Sequence, residues 1–198
     1  HSLALARLMP TLSLEQAMAM FEAGQALYMK YGYTTAQDGK TDAGTLAMLP
    51  LAGKAGRLKI DVVAYPDIHV ALDSPAMRGP YYGPDYIDHF RIGGVKISLD
   101  GSPQGKTAWL SQPYYKVPAG EKADYAGYPA YTDAQANELI GKAWDHGWQV
   151  LAHANGDAAI DQFIHAVAAA EAAHPGKRLM PVLIHGQTLR KDQVGELR

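Results

Sequence analysis

The sequence predicts an α/β protein built on a parallel sheet, and three observations carry that prediction. Strand-like and helix-like segments alternate along the 198 residues, as they do in repeated βα units. Five strand-like segments begin near residues 33, 58, 92, 148 and 181. Apart from one long loop, their spacing is close to the roughly 31 residues per unit of a (β/α)8 barrel of about 250 residues. Five units are too few to close such a barrel, so the expected architecture is an incomplete (β/α)8 TIM barrel. A doubly wound open sheet is the competing arrangement. No Gly-rich phosphate loop follows the first strand, which weakens a nucleotide-binding version of it.

Each element has a local reason. Ser13 and Gln16 have the spacing of a capping box, and the Ala- and Met-rich segment after them predicts a helix to about Tyr31, stopped by Gly32. "YTTAQD" (33–38) reads as a short strand, 42–52 as a helix and "LKIDVVAY" (58–65) as the second strand. The third runs from Ile92 to Leu99 and ends in the turn pair Asp100-Gly101. Residues 101–131 are rich in Gly, Pro and Tyr without periodicity, and a loop of that length in a compact domain is usually functional or disordered. Thr132 and Gln135 repeat the capping-box pattern and open a helix to His146, before Gly147. "WQVLAHA" (148–154) is the fourth strand. Ile160, Phe163, Ile164 and Val167 recur at helical spacing, which makes 157–173 an amphipathic helix. "PVLIHG" (181–186) is the fifth strand.

Composition narrows the function. A hydrophobic fraction of 47% with 19% charged residues is ordinary for a globular chain. The net charge of −2, with 18 basic and 20 acidic residues and no basic block, argues against nucleic acid and anionic membrane as partners. With no cysteine, disulfides, thiolate nucleophiles and Cys metal sites all drop out. A cysteine-free chain suits cytosol and periplasm alike, and a cytoplasmic setting is the working expectation, with periplasmic or secreted ones still open. No apolar run approaches the roughly 20 residues of a membrane span, and no leader is legible at the start. The chain opens on His1 rather than methionine, and the expectation is that it derives from something longer.

In parallel α/β folds the chemistry lies at the carboxyl ends of strands. Those ends carry Gln37-Asp38, Tyr65, Lys96 with Asp100, His153 and His185. Lys96 sits in the middle of an apolar strand, and a buried ammonium is costly unless paired, neutralised or chemically used. His153 and His185 close two consecutive strands. Neutral imidazole is the commonest metal ligand, and two on neighbouring strands can meet one ion. A hydrogen-bonded structural role is the competing reading for either ring. His69, His89, His146, His165 and His174 lie in loops or helices and are not candidates. Asp157 reads as a first-turn helix acid and Asp100 as a turn-former with Gly101. Tyr114, Tyr115, Tyr125, Tyr128 and Tyr131 either cover a pocket or belong to a packed surface loop.

Four stretches in order, "YGYTTAQDG", "GVKISLDGSPQGKTAWLSQPY", "LAHANGDAAID" and "LIHGQTLRKDQ", resemble the YtcJ-like branch of the amidohydrolase superfamily, metal-dependent hydrolases that include formamide and amide deacylases. The resemblance covers nearly the whole chain and places it at about barrel strands two to six, making 1–198 the central part of the catalytic domain, with a long loop at 101–131. It also gives Lys96 an explanation. In related hydrolases a strand-four lysine reacts with carbon dioxide, and the carbamate of this carboxylated lysine bridges two divalent metals, so the buried cation becomes an anionic ligand. The resemblance implies His153 and His185 as ligands of one metal, zinc being expected, with one or two ions in the intact parent. It implies a small amide-like substrate cleaved at a non-peptide carbon–nitrogen bond such as an amide or N-formyl group.

The departures matter equally. The family pattern adds a His-x-His pair on strand one and an aspartate on strand eight, and this sequence has no His-x-His. The chain alone is therefore expected to be inactive and, with open sheet edges, to self-associate. Two other functions fit the residues: a lyase or aldolase using Lys96 as a Schiff base, and a non-catalytic binding fragment.

Overall fold

A computed structural model describes residues 12–197; residues 1–11, on which the expectation about a leader falls, lie outside the described residues. Helix α1 (Leu14–Lys30) opens as expected: the Ser13 hydroxyl accepts from the Gln16 amide N–H and the Gln16 side chain accepts from that of Ser13. Strand β1 (Thr35–Thr41) leads to α2 (Ala43–Lys54), capped by the Asp42 carboxylate, which accepts from Thr45 N at 2.9 Å. Strand β2 (Asp61–Pro66) is followed by α3 (Ile68–Asp73) and a 3-10 turn, Pro75–Arg78. Next come β3 (Phe90–Ile92) and β4 (Val95–Ser98), the irregular segment to Tyr131, and α4 (Asp133–His146) behind its Thr132–Gln135 capping box. Strand β5 (Val150–Ala154), α5 (Asp157–Ala173), β6 (Val182–His185) and α6 (Lys191–Glu196) complete the described chain. No described helix is long and apolar enough to cross a membrane.

Every strand pairing is parallel, in the orders β1-β2-β3 and β4-β5-β6. The α/β class with parallel sheets is thus as the sequence predicts. One element differs. The strand expected over 92–99 is two short strands, the first starting at Phe90 and pairing with β2, the second pairing with β5. Gly93 and Gly94 separate them for a steric reason. A Cβ at Gly93 would lie 2.7 Å from the Tyr65 ring, and one at Gly94 would overlap the Gln149 carbonyl. Close backbone approach breaks the ladder there. A bond from Gly93 N to Ala64 O (3.0 Å) and an isolated parallel bridge between Asp67 and Lys96 carry the strand path from one sheet to the other. Helices α3 and α6 and the 3-10 turn were too short to leave a periodic signal; the Asp67 and Ser74 side chains cap α3 and the turn, and at α6 the Gln193 side chain accepts from Arg190 N.

Strand alternation sorts the two faces. Val95, Ile97 and Leu99, with Val150, Ala152 and Ala154, join Trp144, Ile140, Ile160 and Phe163 of α4 and α5 in the main core. Each Val, Leu, Ile or Phe side chain among them contributes about 1.5–3 kcal/mol by leaving water. The opposite face carries a smaller cluster, Val63, Tyr65 and Leu151 with Ile184. Lys96 and His153 stand at alternate positions to the main core, so the pleat turns them toward that second face.

Candidate metal centre

Lys96 is 7% exposed. Burial pushes its amine down to about 8, and the charge of Lys40 adds to the shift. Among the described residues it forms no ion pair. Asp100, the nearest acid in sequence, is otherwise engaged. Its fully buried carboxylate accepts from the backbone N–H groups of Asn155 (2.9 Å), Gly156 (2.7 Å) and Trp109 (3.0 Å). Asp100 therefore staples the long loop to the β5–α5 turn, at the N-terminal end of α5, where a negative charge is favoured.

His153 follows from the β4–β5 register, in which Ser98 faces it. Its Nε2 lies 2.7 Å from the carbonyl oxygen of Gly101, which also accepts from Asn155 Nδ2 at 2.9 Å. A carbonyl only accepts, so Nε2 carries the proton and Nδ1 keeps its lone pair. A ring nitrogen fixed by a backbone carbonyl is the usual support of a metal-ligating histidine.

The His185 ring stands edge-on to that of His153, with centroids 4.6 Å apart and an interplanar angle of 79°. Simple alternation would not bring it there, since the residue facing His185 is Ala154, on the main-core side. The backbone supplies the turn: His185 has φ 77°, in the left-handed region, which costs a non-glycine residue about 1–2 kcal/mol. Burial, then His153 and Lys96, push its imidazole below the ordinary histidine value, against an opposite pull from Asp100.

The structure thus brings the rings of His153 and His185 together and puts Lys96 within electrostatic reach of them. Among the described residues, no group of three or more His, Cys, Asp or Glu side chains gathers to hold a metal ion. The donor set is two histidines plus a lysine, and a lysine becomes a ligand only as its neutral amine or as its carbamate. The other described histidines are elsewhere: His89 on Asp61 (2.8 Å), His174 on Asp145 (2.9 Å), His69 on the Tyr131 hydroxyl (3.1 Å), His146 stacked on Trp148, and His165 exposed on α5.

Sequence reasoning missed three neighbours. Lys40, at the end of β1, lies 3.4 Å from both Ser98 Oγ and the Asp67 carboxylate. Ser111 of the long loop donates its backbone N–H (2.9 Å) and its hydroxyl to Asp157. Arg190 reaches Asp157, Asp161 and Asp192. Of these only the Asp157–Asp161 spacing of four had a sequence signal, and it named no partner.

The chain belongs to the amidohydrolase family, whose model matches residues 1–198. It is 32% identical over 127 residues to YtcJ of Bacillus subtilis (strain 168), a protein named as an amidohydrolase, across 64% of this chain and 22% of YtcJ. It resembles the crystal structure of an uncharacterized metal-dependent hydrolase from Pyrococcus furiosus with a TM-score of 0.77 and 26% identity, over 99% of this chain and 38% of that one. A second uncharacterized metal-dependent hydrolase, from Pyrococcus horikoshii OT3, shares the fold with a TM-score of 0.73 at 23% identity, over 94% of this chain and 35% of that one. The chain therefore spans less than two fifths of the length of each of these relatives.

Proposed function

We propose that this chain supplies the central part of a metal-dependent amidohydrolase, with Lys96, His153 and His185 as its ligands and an amide or N-formyl group as the bond cleaved. The observation that carries the reading is the histidine pair, 4.6 Å between centroids, with Nε2 of His153 tied to Gly101. The architecture fits strands two to six of a (β/α)8 barrel if β3 and β4 count as one interrupted strand, because the parallel strands follow chain order within each sheet, β1-β2-β3 and β4-β5-β6. When bound, one or two divalent ions, zinc by the nitrogen donors, supply an activated water and polarise the substrate carbonyl.

The chain's own residues prepare that site. Gly101 O holds the His153 ring in the tautomer that leaves Nδ1 free. Burial lowers the Lys96 amine and so favours its neutral form, the form that adds carbon dioxide and releases a proton to become a carbamate anion. Asp100 ties the long loop to the β5–α5 turn beside it. With three ligand residues and no His-x-His in its sequence, the chain by itself has no appreciable hydrolase turnover, and the unpaired edges of β1 and β6 lead it to self-associate.

Titration with Co2+ in bicarbonate buffer tests the assignment. Visible absorption bands should develop with the wild-type chain and fade in Lys96→Ala, His153→Ala and His185→Ala. Identical titrations in all four proteins would remove the metal centre. A second reading rests on the depressed Lys96 amine: a buried lysine near 8 is also a Schiff-base nucleophile. Borohydride trapping of a carbonyl substrate on Lys96, without any metal requirement, would select it.

A further inference from the structure

We infer that Arg190 is a positioning residue that sets His185 against His153 by locking the segment leaving β6 onto the segment leaving β5. The two segments are laced along their length. Gly186 N donates to Ala154 O at 3.1 Å, and Thr188 donates to Asn155 O through both its backbone N–H (3.1 Å) and its hydroxyl (2.8 Å). Arg190 closes this seam. Its Nη1 reaches Asp157 at 2.9 Å, and Nη1 and Nη2 together grip the Asp161 carboxylate at 3.0 and 2.9 Å. Asp157 and Asp161 are one turn apart on α5, four and eight residues beyond His153, so a fork-shaped cation is the side chain that fits both.

The lock is itself fixed. Gln193, fully buried, accepts from Arg190 N at 2.9 Å and donates to Asp157 O (2.8 Å) and Asp161 Oδ1 (2.6 Å). Asp157 is held from the far side by Ser111, so the long loop shares the same anchor. With three carboxylates around it, Arg190 has no charge to spare for a substrate.

What the lock restrains is specific. His185 and Gly186 both have positive φ, 77° and 56°. A non-glycine residue stays in that region only where its surroundings over-determine it. Thr188 and Arg190 are the side-chain anchors that follow these two residues, Arg190 being the one that ties them to α5, and freeing it lets His185 relax to an ordinary extended conformation. Strand alternation would then turn the ring toward the Ala154 side, away from His153.

The test has two arms, and only the metal arm rests on the proposed function. In the metal-free full chain, nuclear Overhauser contacts between the His153 and His185 rings report their juxtaposition directly. Arg190→Ala and the milder Asp161→Asn should lose those contacts while far-UV circular dichroism stays native, Arg190→Lys should retain part of them, and Glu138→Gln, which breaks an exposed ion pair on α4, should keep all. In the second arm, Co2+ affinity should fall about tenfold or more in Arg190→Ala, the usual scale for loss of a ligand's support. If Arg190→Ala does not fold, Asp161→Asn decides. Intact inter-ring contacts in the folded variants would overturn the inference. A wild-type chain that binds no Co2+ would sink the metal reading and leave the first arm to decide the lock.

Discussion

His153 donates its Nε2 proton to the carbonyl oxygen of Gly101 across 2.7 Å, so a residue 52 positions away sets the tautomer of a candidate ligand. The link passes through the start of the long loop, and Gly101 is where the loop turns. A Cβ on Gly101 would overlap the Thr107 side chain. Gly101→Ala should therefore cost about 1–3 kcal/mol through overpacking, a fall in Tm of about 2–4 °C per kcal/mol. The nitrogen-15 shifts of His153 should also leave the pattern of a ring protonated at Nε2. An unchanged Tm and an unchanged His153 spectrum would show that the loop does not hold the ring.

Lys96→Met separates use from stability. Lys96 is buried and has no ion-pair partner among the described residues, so its ammonium weakens the metal-free fold. Methionine has similar length and no charge. The variant should be more stable than wild type by about 1–3 kcal/mol in urea unfolding and should lose Co2+ binding. Lower stability would mean that Lys96 has a compensating partner in solution.

His185→Gly makes the same separation at the next strand end. The residue is only partly covered, so limited packing is lost, while glycine accepts φ 77° freely. A gain of about 1 kcal/mol is expected, again with loss of Co2+ binding. A clear destabilisation would place the stabilising weight on the imidazole itself.

Asp157→Asn has a pH signature. Burial alone would raise the Asp157 carboxyl, but hydrogen bonds from Ser111 and Arg190 outweigh it and hold the group below its ordinary 3.8. A depressed acid contributes stability that is present above its unfolded value and is lost as pH falls through its folded one. At neutral pH the variant should be less stable by about 2 kcal/mol, the scale of hydrogen bonds to a charged group. That gap should narrow as pH drops below 3.8. Urea unfolding of both proteins across an acid series measures it, and a gap independent of pH would count against the assignment.

Much of this organisation was legible in the sequence because it is local. The capping boxes at Ser13 and Thr132, the period of Ile160, Phe163, Ile164 and Val167, and the two strand-end histidines each need only neighbours in the chain. Gly93-Gly94 was visible, but its meaning depends on Tyr65 and Gln149, whose approach no local pattern encodes. Arg190 was silent for the same reason, since its carboxylate partners on α5 lie 29 and 33 residues back. The turn of His185 toward His153 was hidden too, because alternation along β6 points the other way and a backbone dihedral reverses it.

The interrupted strand path of β3 and β4 has a consequence for how the molecule opens. Its first half hydrogen-bonds to one neighbour and its second half to another, so the backbone ladders form two units that meet at a pair of glycines over one shared apolar core. They are unequal. Strand β1 is exposed or half-buried over most of its length, whereas β4 and β5 are buried almost throughout. Slow amide exchange should therefore persist in β4 and β5 after β1 and β2 have begun to exchange, with the step at Gly93-Gly94. Lys96 and His153 ride on the unit that lets go last, while Lys40, the second ammonium beside them, rides on the one that breathes first.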